Sequence, residues 1–309
     1  MEKLSIVVPC FNEEASLPLF FHTVEPIVRT LGAEIEYCFV DDGSRDETLE
    51  IMRQLAAAHD YVHYTSFSRN FGKEAAMLAG LQMATGDFIV LMDVDLQDPP
   101  SLLPEMWQRI HESGSACDCV ATRRMTRAGE PLIRSFCARL FYKLINHLSD
   151  TEIVDGARDF RMMTRQMVDS VIADGEYNRF SKGIFSWVGF HTCWISYENV
   201  ERAAGETKWS FWKLFKYSIE GILAYTTVPL YLSSVLGFLM CGVSFLFLLF
   251  IFARALLFGD PVAGWPSLVC IITLLGGLVL LALGIMGLYI AKIYLETKKR
   301  QMYIVKERR

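Results

Sequence analysis

Over the first 92 residues, short apolar runs alternate with segments whose apolar residues recur at helical spacing. Leu4–Val8 (LSIVV), Glu36–Val40 (EYCFV), Val62–Phe67 (VHYTSF) and Asp87–Met92 (DFIVLM) are β-branched or aromatic runs of strand length. Between them, Phe20, Phe21, Val24, Ile27 and Val28 fall on one face of a first helix. DETLEIMRQLAAAHD predicts a second helix, with Asp46 at its start as a cap, and GKEAAMLAGLQMATG predicts a third. Strands alternating with helices of this length predict an α/β fold with a parallel, doubly wound sheet.

The pattern changes after about residue 225. VPLYLSSVLGFLMCGVSFLFLLFIFARALLF carries Arg254 as its one charge, and SLVCIITLLGGLVLLALGIMGLYIA carries none. A helix needs roughly 20 apolar residues to cross a bilayer, and core helices of soluble proteins keep a polar face that these segments lack. Two transmembrane helices are therefore expected, at about 229–257 and 267–292, joined by the turn GDPVAGWPS into a hairpin within 228–295. The following KIYLETKKRQMYIVKERR has seven Lys/Arg against two Glu, the mark of a cytoplasmic flank. A hairpin returns the chain to its starting side, so a multi-pass protein of the inner or plasma membrane is expected, with catalytic domain and both termini cytoplasmic. No signal peptide is expected, since MEKLSIVVPCF lacks a long apolar run behind a basic start.

Two further segments are amphipathic. Residues 131–148, PLIRSFCARLFYKLINHL, place apolar side chains near one face and add Arg134, Arg139 and Lys143; WSFWKLFKYSIEGILAY, within 206–227, adds Trp209, Trp212 and Tyr217. Both read as helices lying in the bilayer interface. The expected organisation is a catalytic domain over 1–205, a juxtamembrane helix over 206–227, the hairpin, and a basic tail over 296–309 attracted to anionic lipid. Gly276, Gly277, Gly284 and Gly287 in the second span permit close helix contact, so a homo-oligomer, dimer or tetramer, is expected.

The chain has 309 residues, is 52% hydrophobic and carries a net charge of −5. The segment after the second span nets +5, which leaves −10 for the remainder and argues against nucleic acid as a partner. The eight cysteines sit mostly in apolar contexts, and Cys117 and Cys119 lack a second pair at metal-site spacing, so they are expected to be reduced structural thiols.

In doubly wound sheets, ligands bind beyond the carboxyl ends of the strands. There this chain places PCFNEE, DDGSRDE, SRNFGK and DVDLQDPP, with Asp93, Asp95 and Asp98 inside six positions. Asp93 and Asp95 can converge on a hard divalent cation through oxygen ligands, with the amide oxygen of Gln97 two positions on. A D-x-D pair alone is a weak signal; at the end of an apolar strand, beside a second acidic strand end, it is a strong one. Neither G-x-G-x-x-G nor a P-loop is present.

Taken together, SIVVPCFNEE, FVDDGSRDET, SRNFGKEAA, LMDVDLQDPP and GETKWSFWKL resemble the family 2 glycosyltransferases. The closer likeness is to the polyprenyl-phosphate glycosyltransferases, among them bactoprenol glucosyltransferases and dolichyl-phosphate mannose synthases. The resemblance implies a GT-A catalytic fold, a nucleotide-sugar donor and a Mg²⁺ or Mn²⁺ cofactor. It implies a donor site of Pro9, Phe11 (against the base), Glu13, Asp41, Asp42, Lys73, Asp93, Val94 and Asp95, with Arg202 and Lys208 facing phosphate. It makes Asp93, Asp95 and Gln97 the metal ligands. On the acceptor side, DGARDFRMM resembles the family's G-D-F-R segment and implies active-site roles for Asp159 and Arg161, with Arg158 standing where glycine is usual. ATRRMTRAGEPLIRS resembles the basic segment that meets phosphates and implies Arg123 and Arg134.

The activity implied is inverting transfer of a hexose, from UDP-glucose first and UDP-N-acetylglucosamine next, to undecaprenyl or another polyprenyl phosphate. Asp159 acts either as a base or as an orienting carboxylate. A processive polysaccharide synthase would also carry Q-x-x-R-W and more spanning helices, and neither is present. A non-catalytic, membrane-anchored nucleotide-sugar binder would not need arginines for an acceptor phosphate.

Overall fold

The computed structural model describes residues 1–112, 117–124, 154, 156–177, 179–197, 228–258 and 264–309. They fall into two units, Met1–Gly221 with Arg300–Arg309, and Ile222–Lys299. The expected interface segments at 131–148 and 206–227 lie outside the described residues.

The first unit is an α/β domain. Its strands are β1 (Lys3–Cys10), β2 (Glu34–Asp41), β3 (Val62–Phe67), β4 (Phe88–Leu91), β5 (Cys119–Arg124), β6 (Ala157–Thr164), β7 (Thr192–Tyr197) and β8 (Val305–Arg308). They form one sheet in the order β7-β5-β6-β4-β1-β2-β3-β8. β1 to β4 run parallel, β6 is antiparallel to β4 and β5, and β7 runs parallel to β5. The four parallel strands are the four apolar runs of the sequence: β3 coincides with its run, β1 and β2 extend theirs by one or two residues at each end, and β4 is one residue shorter at each end.

The helices are α1 (Ser16–Val28), α2 (Thr48–Ala58), α3 (Lys73–Met83), α4 (Leu103–His111), α5 (Arg165–Ala173) and α6 (Ser181–Trp187). Phe20 and Val24 of α1, Met52 of α2 and Met106 of α4 share one apolar cluster with Ile6, Tyr37 and Phe39 of the sheet. Ala76 and Ala79 of α3 pack with Val40 and Phe67 in a separate cluster. A parallel sheet covered in this way is buried on both faces, which explains why β1 and β2 read as continuous apolar runs. Alanines and Gly80 let α3 lie close: a Cβ on Gly80 would come within 2.3 Å of Val7 Cγ1.

After β3 the chain returns to the other side of β1 to build β4. The switch in strand order opens a crevice at the carboxyl ends of β1 and β4, the usual ligand position in such sheets. Asp93 and Asp95 follow β4 directly, and Leu96 adopts φ 55° in the same turn. A non-glycine residue in the left-handed region costs on the order of 1 kcal/mol, so this turn is held by its surroundings rather than by local preference.

Two expectations need correction. Residues 296–309 are not simply a basic tail, because Val305–Arg308 forms the edge strand β8, antiparallel to β3. Alternating charge conceals the strand: an edge strand exposes one face, and Glu307 bonds Arg53 while its neighbours face out. Cys117 is not a free thiol, being bonded to Cys193 at the start of β7. The two lie 76 positions apart and meet because β5 and β7 are adjacent. Cys119 is free and buried, as expected.

The second unit contains α7 (Val228–Phe258) and α8 (Trp265–Thr297). Phe238, Leu246 and Leu280 are 80%, 68% and 70% exposed, a pattern that water does not favour. Among the described residues one stretch, Leu274–Thr297, is long and apolar enough to cross a membrane; Val228–Met240 is a shorter apolar stretch.

Candidate functional site

The site is assembled from loops that follow β1, β2 and β4, the N-terminus of α3, and the middle of β6. β4 pairs with β6 so that Leu91 faces Arg161, which brings Asp159 towards the D-x-D turn. Lys73 is the first residue of α3. Its ammonium lies 2.8 Å from an Asp93 oxygen and 2.5 Å from Asp159. Two carboxylates from strands far apart in sequence thus converge on one cation.

Burial opposes the charge of Asp159, but Lys73, then Lys182 and Arg161, hold its carboxyl well below the usual range. Burial likewise opposes the charge of Lys73, and Asp159 and Asp93 together raise it above the ordinary lysine value. Next to it, Glu74 accepts from the Ser181 amide and hydroxyl, and burial pushes its carboxyl up. Neither Glu74 nor Lys182 stood out in the sequence. Their position depends on α3 and α6 meeting, which no local motif records.

Of the metal candidates, Asp93 is engaged by Lys73, and an Asp95 oxygen accepts the Gln97 amide at 3.2 Å. The Gln97 side-chain oxygen accepts from Arg124 at 3.2 Å. The donor set is all oxygen, two carboxylates and one amide, and an ammonium already bridges Asp93 to Asp159, so a hard divalent cation fits the chemistry here.

Asp98, third aspartate of the turn, has a different task. It is 1% exposed, accepts from Arg158 Nε at 3.0 Å and is hydrogen-bonded by the Tyr197 hydroxyl. It ties the turn to β6 and β7.

Arg161 is 3% exposed; its guanidinium lies 3.7 Å over the Phe185 ring and donates to the Arg158 carbonyl at 2.8 Å. Those contacts anchor the strand carrying Asp159. Arg123 is exposed at the end of β5, with Nε donating to Ser196 at 2.9 Å. Arg134, Arg202 and Lys208 lie outside the described residues.

At the ends of β1, β2 and β3 a cavity of about 560 Å³ is lined by Phe11, Asp41, Ser44, Ser66, Arg69 and Lys306, among others. Asp41 is 1% exposed, and its carboxylate accepts the Ser44 amide at 2.9 Å and the Ser66 hydroxyl at 2.7 Å. Asp42 turns elsewhere: it takes the Phe71 and Gly72 amides at 2.6 and 3.0 Å, fastening the start of α3. Burial pushes Asp42 up to about 6 against those hydrogen bonds. Pro9 is paired within the sheet, Val94 is in the core, and Glu13 starts α1 through its carbonyl and accepts the Ser16 hydroxyl at 2.8 Å.

Residues 5–172 match the family described as Glycosyl transferase family 2. The chain belongs to that family. It is a glycosyltransferase. A prophage bactoprenol glucosyl transferase homolog of Escherichia coli (strain K12) is 41% identical over 307 residues, 98% of each chain. The bactoprenol glucosyl transferase of Shigella phage SfX is 40% identical, covering 99% of this chain and 100% of that one. Among solved structures, glucosyl-3-phosphoglycerate synthase from Mycobacterium tuberculosis, in complex with Mn²⁺, UDP-glucose and phosphoglyceric acid, is 19% identical. It covers 72% of this chain and 78% of that one at a TM-score of 0.48.

Proposed function

We propose that this glycosyltransferase moves a hexose from a UDP-sugar, UDP-glucose foremost, to a polyprenyl phosphate with inversion. The names of the bactoprenol relatives, similar over nearly the whole chain, support the acceptor class. The observation that carries the reading is the meeting of Asp93, Lys73 and Asp159 at the end of β4. Metal ligands, a cation and an acceptor-side carboxylate are what a transfer between two phosphorylated partners requires.

Asp93, Asp95 and Gln97 would hold Mg²⁺ or Mn²⁺, which offsets the charge of a departing diphosphate. The acceptor phosphate has its second ionisation near pH 6 by analogy with phosphorylated side chains, so the attacking oxygen needs no strong base. That oxygen forms a bond to the anomeric carbon as the bond from the same carbon to the diphosphate breaks. The electron pair leaves with UDP, and the anomeric centre inverts. Asp159, held charged by Lys73, is a weak base and serves as an orienting carboxylate. Arg123, with Arg134, Arg202 and Lys208, would receive phosphate oxygens, for which forked guanidinium donors are well suited.

The domain division at 1–205, 206–227 and 228–295 belongs to the same proposal. The Ile222–Lys299 unit is flanked in the chain by two segments of the catalytic unit. A helical insertion that leaves and re-enters one domain crosses a bilayer an even number of times, which supports the two-helix hairpin and a cytoplasmic catalytic domain. Among the described residues of the chain, a Cβ on Gly276, Gly277, Gly284 or Gly287 would meet nothing within 4 Å, which suits these positions for contact with another copy.

The test is transfer of radiolabelled glucose from UDP-glucose to undecaprenyl phosphate in detergent, with Mg²⁺ or EDTA, beside Asp95→Asn. Glycolipid that depends on metal and disappears in the variant is the expected result. No glycolipid from UDP-glucose, UDP-N-acetylglucosamine or GDP-mannose would overturn the proposal.

A further inference from the structure

β8 follows the second apolar helix, yet it is bound to the catalytic sheet by several independent contacts. Glu307 takes Arg53 at 3.0 and 2.6 Å and the Tyr64 hydroxyl at 2.5 Å. Tyr303 stacks on Phe67 with centroids 4.7 Å apart and donates to Gln82 at 2.5 Å. Backbone bonds run from the Ser68 amide to Ile304 and in both directions between Tyr64 and Arg309.

The register of this strand is broken at one place. Ser66 pairs with Glu307 and Phe67 with Val305, so Lys306 is the extra residue of a bulge. A bulge re-aims a side chain out of the ladder. Lys306 lines the cavity that also holds Phe11, Asp41 and Ser66. It makes no ion pair among the described residues, although Glu307 follows it and Asp41 is on the same wall. A lysine placed by a bulge against a cavity containing an aromatic ring and a buried carboxylate is arranged for a ligand.

We propose that Lys306 binds the nucleoside end of the donor, so that the strand after the membrane segment completes the donor pocket. This rests on the UDP-sugar reading above and adds to it a residue from outside the span matched to the family, 5–172. Position decides which part of the donor it meets. Asp93 ends β4, whereas β8 adjoins β3, and β4, β1, β2 and β3 are successive neighbours. Lys306 itself is on β8, four strand spacings of about 4.8 Å from β4, and its side chain reaches back over the cavity at the end of β3, so it lies on the far side of the donor from the diphosphate, at the nucleoside. An ammonium only donates. Facing the 4-position of the base, it donates to the keto oxygen of uracil and meets the amino group of cytosine, another donor, unfavourably, so at that position Lys306 favours uracil over cytosine.

The experiment is calorimetric titration of UDP and CDP, with Mg²⁺, into the full chain in detergent, for the wild type, Lys306→Ala and Lys306→Arg. Loss of a hydrogen bond from a charged group predicts UDP binding about 10-fold weaker in Lys306→Ala, with a smaller change for CDP and hence a lower UDP:CDP preference. Lys306→Arg, which keeps a donor, should stay within about 3-fold of wild type by the same reasoning. UDP affinity in Lys306→Ala within about 2-fold of wild type, less than the ~10-fold a charged hydrogen bond implies, would overturn this inference and leave the donor reading intact. A wild-type chain that binds neither nucleotide would overturn the donor reading, and the role of Lys306 with it.

Discussion

Asp93, at the end of β4, and Asp159, on β6, are joined through the single ammonium of Lys73, 2.8 Å from one and 2.5 Å from the other. In Lys73→Met the two carboxylates face each other without that cation. Like charges at such range raise a carboxyl pKa, so Asp159 becomes easier to protonate and loses its fixed orientation. Removing one positioned charge from a reaction centre typically costs 10²–10³-fold in kcat, and a loss of about 100-fold is expected by steady-state assay. An unchanged kcat would show that the bridge is a resting contact without a part in transfer.

The same bridge fixes the pH profile. Asp159 is held below its ordinary range and Lys73 above its own. Asp159 keeps its charge until the pH falls below the usual carboxylate range, and Lys73 keeps its proton beyond the usual lysine range. Neither titrates between about pH 6 and 9. The rate should therefore be flat there and decline only on the acid side, near pH 6, as the acceptor phosphate takes its second proton. A limb near neutral pH that moves in Asp159→Asn would instead make Asp159 a base.

The four parallel strands and the acids at their ends were legible because a strand buried on both faces must be apolar along its length, and because ligand chemistry collects where such strands stop. Lys73 was legible as a candidate but not as a bridge, since its partners lie on β4 and β6. Asp98 was noted beside Asp93 and Asp95 without a role of its own, because adjacent acids in a sequence carry no sign of which way each turns. In the fold it meets Arg158, 60 positions later. β8 was read as a tail because the polar pattern of an edge strand differs little from that of a solvated segment, and its partners, Arg53 and Tyr64 among them, lie more than 200 positions back in the chain.

Glu36 gives an acid-stability prediction. Burial opposes its charge, but hydrogen bonds from Ser5, Thr85 and Lys3 hold its carboxyl at about 2, against an ordinary 4.5. With the folded pKa depressed, the stabilisation is fully present above about pH 4.5 and is lost as the pH falls to about 2. A shift of this size corresponds to ~3 kcal/mol. Melting temperatures between pH 5 and 2 should fall steeply for the wild type, and Glu36→Gln should begin lower and vary less with pH. Parallel curves would mean that another group controls the acid transition.

Gly43 lies where the β2 and β3 loops cross. It adopts φ 70°, and an added Cβ would come within 2.4 Å of the Arg69 carbonyl carbon. Gly43→Ala must move the Arg69 loop, which lines the cavity proposed for the donor. Strain of this kind costs on the order of 1–3 kcal/mol. A lower melting temperature is expected together with weaker UDP binding, while Gly32→Ala, also at positive φ but with open space around it, should lower only the melting temperature.

Arg158 and Asp98 form the pair whose loss separates architecture from chemistry. The Asp98 side chain is 1% exposed, and Arg158 is the cation beside it, with Nε at 3.0 Å. Arg158→Leu leaves a buried carboxylate served, among the described residues, by Tyr197, and breaking a buried pair from one side costs about 3–5 kcal/mol. Asp98→Asn added to Arg158→Leu removes the stranded charge, so the double variant should regain most of that loss, since replacing both partners of such a pair is often near neutral. Chemical denaturation of the four proteins measures the coupling. Additive effects would show that Arg158 acts independently of Asp98. Because Arg158 directly precedes Asp159 on β6, kcat should follow stability in this series: low in the single variant and largely restored in the double.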